Sequence, residues 1–238
     1  MTKLSIVLPS WNEARNIPLT LESYAKVWPA DLDAELLIVD NGSSDDTAQV
    51  LQAELPKYPF ARSVRVEQNR GYGYGIMQGL RAARGEVLAF SHADMQCPAQ
   101  DVFAAYALFT RQSERERCVI KGTRQFRGLQ PTLLTTGMTV FASALLGRVL
   151  RDINAQPKLF HRSHLAYLTA PPDGFELDLY VLYRMLQRGG RIVTTDVVFG
   201  RRAHGESKWA FSLFSRYRHI AKMMRYIVEL RSASERTR

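Results

Sequence analysis

A chain of 238 residues, 46% hydrophobic and 23% charged, has ordinary globular composition and enough apolar mass for one sizeable core. Two cysteines, Cys97 and Cys118, exclude a disulfide framework, and no zinc-ligand spacing accompanies them. The formal net charge is +9, and residues 201–238 carry +7 of it through ten Lys/Arg against three Glu, which suits an anionic partner: phosphate, anionic lipid or nucleic acid.

The N-terminal MTKLSIVLPSWNEA lacks a long apolar segment with a small-residue cleavage site, so no signal peptide is expected and a reducing cytoplasmic setting follows. Apolar, β-branched runs then recur at Leu4–Leu8, Leu36–Val39, Val64–Val66, Val87–Phe90 and Val119–Ile120, with helix-like stretches between them. That alternation predicts βαβ units, an α/β fold and a mostly parallel sheet, with ligands at the carboxyl ends of the strands.

After Arg124 the rhythm changes. Gly128 to Gly147 is uncharged, but only ten of its 20 residues are apolar, so it reads as a core helix and not a membrane span. Met138, Phe141, Leu145 and Val149 form its stripe. An extended piece near Asp152–His161, a helix over Phe175–Gln187, a strand over Arg191–Phe199 and a loop over Gly200–Lys208 follow. Trp209 to Arg231 closes the chain as a helix with Leu213, Tyr217, Ile220, Met224 and Ile227 on one face and Arg218, Lys222 and Arg225 beside them. The expected organisation is a catalytic domain over 1–208 and a basic amphipathic helix and tail over 209–238.

Four constellations follow strand ends. Asp40-Asn41-Gly42-Ser43-Ser44-Asp45-Asp46-Thr47 places a carboxylate where a base or ribose can be met, while its Ser/Asp cluster reads as a helix cap through Ser44 or Asp45. In Ser91-His92-Ala93-Asp94-Met95-Gln96, an extended backbone puts His92, Asp94 and Gln96 on one face, offering ligands for Mg²⁺ or Mn²⁺ beside a diphosphate. Asn69-Arg70-Gly71-Tyr72-Gly73-Tyr74-Gly75 has glycines that allow close backbone approach to a ligand, or a plain strand-to-helix turn. Arg201-Arg202-Ala203-His204-Gly205-Glu206-Ser207-Lys208 forms a phosphate clamp or a solvated basic loop.

Taken together these segments resemble the inverting family-2 glycosyltransferases, in particular the dolichol-phosphate mannose synthase branch. Pro9-Ser10-Trp11-Asn12-Glu13, VDNGSSDDT, Arg70-Gly71-Tyr72-Gly73, His92-Ala93-Asp94-Met95-Gln96, Lys121-Gly122-Thr123-Arg124, Asp152 to Phe160 and Arg202-x-x-Gly205-Glu206-Ser207-Lys208 stand in that family's order. The resemblance implies a GT-A fold and transfer of a hexose from a GDP- or UDP-sugar to a polyprenyl phosphate, dolichyl or undecaprenyl. It places Pro9, Asn12, Glu13, Asp40, Gly42, Arg70, Gly73 and Asp94 at the nucleotide, and Asp94 and Gln96, with His92, at the metal. It sets Arg124, Arg202, Ser207 and Lys208 at the acceptor phosphate, with Asp94, Arg124, Arg202 and Lys208 carrying catalysis.

Two departures stand out. His92 replaces the first Asp of the metal motif, and Asn154-Ala155-Gln156-Pro157-Lys158 replaces the usual Ser-Gly-Phe-Arg. A hydroxyl acceptor would call instead for a carboxylate base, for which Asp178 or Glu176 are placed, although both also read as acids of a helix's first turn. The basic C-terminal helix is expected to lie on the cytoplasmic face of an anionic membrane as a peripheral contact, or to meet a membrane-protein partner. A nucleic-acid-binding protein is the remote alternative; only charge speaks for it, and nucleic acid is not expected as a partner.

Overall fold

The structure is a computed structural model that describes residues 2–125, 129–200, 204 and 213–235. By its internal contacts the chain divides into two compact units, Met1–Gln125 with Asn154–His204, and Phe126–Ile153 with Gly205–Arg238.

The first unit opens with β1 (Leu4–Ser10), α1 (Ile17–Val27), β2 (Ala34–Asn41), α2 (Thr47–Glu54), β3 (Ala61–Val66), α3 (Tyr72–Ala82), β4 (Val87–Phe90), α4 (Ala99–Thr110) and β5 (Cys118–Gln125). It resumes with β6 (Lys158–His161), α6 (Leu177–Gln187) and β7 (Arg191–Val198). Seven strands form one sheet in the order β3-β2-β1-β4-β6-β5-β7. The alternating half is parallel as expected: β1 pairs in parallel with β2 and β4, β2 with β3, and β5 with β7. β6 is the exception. It runs antiparallel between β4 and β5, pairing Phe90 and Lys121 with the same residue, Lys158. The strand is therefore shorter than the extended piece read over Asp152–His161.

The core follows from these runs. Leu4, Ile6, Leu8, Leu36, Ile38, Ala89, Ile120 and Leu159 are fully buried against Ile17, Leu21, Val102 and Phe109 from α1 and α4. Continuous burial along β1, β2 and β4 is what a parallel sheet covered on both faces requires. Both cysteines are buried thiols; burial raises both, Cys97 to about 12.

The second unit contains α5 (Leu129–Leu146) and α7 (Leu213–Glu235). The expected stripe of α5 is displaced: among the described side chains of the helix Ala142 and Leu146 are buried, while Val149 lies past the helix end and is exposed. The side chain of Met138 lies outside the described residues. On α7, Met223 and Ile227 are buried and Arg218, Lys222 and Arg225 are exposed, so the basic face is in solvent. The expected start at Trp209 lies outside the described residues, and the helix runs on past Arg231. Among the described residues no helix is long and apolar enough to cross a membrane.

Candidate active site

The carboxyl ends of β1, β2, β3 and β4 bring together four of the segments singled out from the sequence. The loops after β1 and β2 are knitted to each other. Asn12, at φ 56°, donates its backbone N–H to Ser43 Oγ at 3.0 Å and accepts from Ser44 N–H at 2.9 Å. Glu13 N–H donates to Thr47 Oγ1 at 3.0 Å. Pro9 sits beside Val39 in the sheet register.

Asp40 is only 2% exposed. One of its oxygens accepts from Ser43 N–H at 3.0 Å and the other pairs with Arg65, its register partner on β3. The carboxylate thus holds the β2 turn as well as facing the strand end. Of the two expected caps, Asp45 serves the helix start and Ser44 does not. Asp46 stands at the cap position without a side-chain bond, and Asp45 accepts from Thr47 N–H at 3.1 Å, whereas Ser44 is engaged with Asn12.

The glycine segment forms the strand-to-helix turn before α3. A Cβ on Gly73 would stand 2.4 Å from Pro172 O and 2.6 Å from Gly174 O, and one on Gly71 would stand 2.4 Å from Asp173 O. These glycines let α3 approach the chain's own 172–174 backbone. Gly42, at φ +69°, serves the same end: its Cβ would lie 2.6 Å from Asn69 N. Arg70 pairs with Asp173 at 2.8 Å, which raises its guanidinium further, and lies over the Tyr74 ring at 4.2 Å.

The backbone of the metal motif is a correction. Residues 91–97 are not extended. Met95 takes φ 64°, and Gln96 N–H turns back onto Asp94 Oδ1 at 3.1 Å. A tight turn, not strand alternation, joins Asp94 to Gln96. The turn is clipped to the segment after β7: Gly200 N–H donates to Gln96 O at 2.8 Å, and Gln96 Nε2 donates to Gly200 O at 3.3 Å. Asp94 is 5% exposed. His92 lies between the rings of Tyr72 at 5.8 Å and Phe199 at 6.5 Å, and Arg124, at the end of β5, places its guanidinium 5.6 Å over Phe199. His92, Gln96 and Arg124 are therefore drawn around one short segment, Phe199–Gly200, and Asp94 is joined to it through Gln96.

Arg202, Ser207 and Lys208 lie outside the described residues. Of their neighbours, Gly200 is bound to the metal turn and the carbonyl of His204 accepts from Asn16 Nδ2 at 3.2 Å.

The donor set fits Mg²⁺ or Mn²⁺. A carboxylate and an amide oxygen are hard ligands, and such ions take one or two protein groups and leave the rest to water and substrate phosphates. Among the described residues no cluster of three His, Cys, Asp or Glu side chains makes an all-protein cage.

Sequence reasoning missed the polar network beneath this surface. Lys158 and Asp178, 0% and 2% exposed, form an ion pair at 2.7 Å. Gln156 Nε2 donates to the same Asp178 oxygen at 3.0 Å and to the Tyr72 phenol oxygen at 2.9 Å. Asp178 does occupy the first turn of α6, but it is tied to a lysine within an apolar-looking run, Lys158-Leu159-Phe160, that no local pattern marks as charged-and-paired. Glu176 is also buried, at the position before α6.

With the geometry in hand, the relatives are informative. Residues 5–137 match the model described as Glycosyl transferase family 2. The chain is 24% identical over 241 residues to a dolichol-phosphate mannosyltransferase of Pyrococcus furiosus, covering 96% of this chain and 65% of that protein. It is 26% identical over 216 residues to an undecaprenyl-phosphate 4-deoxy-4-formamido-L-arabinose transferase of Photorhabdus laumondii, covering 88% and 63%. The chain thus spans just under two thirds of the length of these two relatives. An uncharacterised glycosyltransferase of Mycobacterium bovis is 30% identical over 215 residues, covering 88% of this chain and 91% of that one. In fold, the chain is similar to glucosyl-3-phosphoglycerate synthase of Mycobacterium tuberculosis, crystallised with Mn²⁺, UDP and glucosyl-3-phosphoglycerate. The TM-score is 0.74 and the identity 22%, over 97% of this chain and 80% of that one. The helix-flanked sheet has the GT-A fold, and the chain belongs to glycosyl transferase family 2.

Proposed function

We propose that this protein is a metal-dependent inverting glycosyltransferase that moves a hexose from a GDP- or UDP-sugar to a polyprenyl phosphate. The observation that carries the acceptor choice is the state of Asp178. A hydroxyl acceptor needs a carboxylate free to take its proton. Asp178 is instead buried against Lys158 and Gln156. A phosphate acceptor is already ionised near neutral pH and needs no base. Relatives named for dolichol- and undecaprenyl-phosphate transfer support the same choice.

In the reaction, an acceptor phosphate oxygen attacks the anomeric carbon, the bond from that carbon to the diphosphate breaks, and the nucleoside diphosphate leaves with the electron pair. No proton is moved. Asp94 and Gln96, with His92, would hold Mg²⁺ or Mn²⁺, which would supply charge stabilisation to the leaving diphosphate. The chain's own task is to bring two anions together. Arg124 offers a fixed guanidinium beside the metal turn, backed by the Phe199 ring. Arg202, Ser207 and Lys208 add cations and a hydroxyl for the acceptor phosphate. Asn12, Glu13, Asp40 and Gly42, with Pro9, Arg70 and Gly73 around them, shape the nucleotide end at the β1 and β2 turns.

A lipid acceptor places the enzyme at a membrane surface. The exposed Arg218, Lys222 and Arg225 of α7 suit anionic headgroups, and a membrane-protein partner would meet the same face. The test is incubation with Mn²⁺ or Mg²⁺, a polyprenyl phosphate and labelled UDP- and GDP-sugars. Label extracted into organic solvent, and abolished by chelator or Asp94→Ala, is the expected result. Donor consumed with unlabelled lipid refutes the acceptor and turns attention to hydroxyls with Glu176 or Asp178 as base.

A further inference from the structure

The buried network has a direction. Lys158, fully buried, holds the Asp178 carboxylate and the Ala155 carbonyl, the latter at 3.0 Å. A carboxylate beside an ammonium can only accept, so the amide of Gln156 must turn its nitrogen toward it. That nitrogen has two hydrogens. One goes to Asp178 and the other to the phenol oxygen of Tyr72. The phenol oxygen is then an acceptor on its inner side, and its own hydrogen is left to point elsewhere. Among the described residues no group accepts it. The ring is held firmly meanwhile, stacked on the half-exposed Phe175 at 4.8 Å and 22°, and set beside His92 of the metal motif. A phenol keeps its proton near neutral pH, so the hydroxyl is a donor there.

We infer that the Tyr72 hydroxyl donates a hydrogen bond to an oxygen of the bound nucleotide sugar, aimed by the Lys158–Asp178–Gln156 chain; this rests on the donor reading above. Tyr72 is the residue that touches ligand, and Gln156 is a positioning residue.

Calorimetric titration of the full chain with UDP-glucose, GDP-mannose, UDP and GDP in Mn²⁺ sets the reference. A wild type that binds none of the four sinks the donor reading itself. For the nucleotide sugar that binds, Tyr72→Phe keeps the ring and is expected to weaken affinity roughly five- to ten-fold. Unchanged affinity for the matching nucleoside diphosphate places the accepting oxygen on the sugar, and an equal loss places it on the diphosphate. Gln156→Met, which frees the hydroxyl to turn inward toward Asp178, is expected to lose affinity in the same sense. A Tyr72→Phe protein that melts earlier yet binds and turns over the sugar nucleotide like wild type makes the network a packing device and overturns the inference.

Discussion

Lys158→Met is the sharpest perturbation the structure offers. Methionine keeps the aliphatic stem and removes the ammonium, leaving Asp178 at 2% exposure with the Gln156 amide as its remaining bond named above. Breaking a buried pair from one side costs about 3–5 kcal/mol, because a charge stays behind without its partner. For a chain of this length that is a fall in Tm of roughly 6–20 °C. Replacing both partners removes the stranded charge, so Lys158→Met with Asp178→Leu is expected to recover at least half of the loss. The remainder covers the Ala155 carbonyl that Lys158 held and the one Gln156 amide hydrogen that faced Asp178, the other keeping its bond to Tyr72. Urea unfolding followed by circular dichroism reads both variants, with the midpoint reporting stability and the slope guarding against a changed unfolded state. A single variant within about 1 kcal/mol of wild type, or a double variant no better than the single, would refute the reasoning.

Other outcomes follow from the same structure. Gly73→Ala forces a Cβ to 2.4 Å from a backbone oxygen and is expected to cost about 1–3 kcal/mol. Gly137→Ala, in α5 with nothing within 4 Å of the new atom, is expected to stabilise by about 0.5–1 kcal/mol; equal midpoints for the two in urea would contradict the close-approach argument. His164 is buried, which lowers its pKa to about 4 despite the bond to the Val181 carbonyl, with Arg188 and Arg184 adding repulsion. Its native state therefore binds a proton later than the unfolded chain, and stability falls as pH drops from about 6.5 to 4, by up to about 3 kcal/mol. His164→Phe should flatten that slope in melts across the range, and an unchanged slope would assign it to other groups. Replacing Arg218, Lys222 and Arg225 by Gln is expected to weaken binding to phosphatidylserine vesicles by about 3 kcal/mol, roughly 100-fold. Equal sedimentation with vesicles before and after would remove α7 from the membrane contact.

Much of this protein is legible from residue order alone. The apolar runs from Leu4 to Phe90 dictated a parallel, doubly covered sheet, because only strands buried on both faces are apolar at successive positions. The turn and metal-motif candidates stand out because positions just past such strands face ligands, and α7 announced its basic face through its spacing. What only the tertiary structure decided depends on partners far apart in sequence. The Gly71 and Gly73 positions are empty for the sake of residues 172–174, about a hundred positions away, so spacing could not tell ligand from backbone. The metal motif turns at Met95 because Gly200 clips Gln96, a contact no local pattern contains. Asp178 reads as a helix acid until β6 is inserted antiparallel between β4 and β5 and carries Lys158 beneath it. Charges and glycines declare their chemistry in the sequence, but which partner satisfies each one is a property of the packed fold.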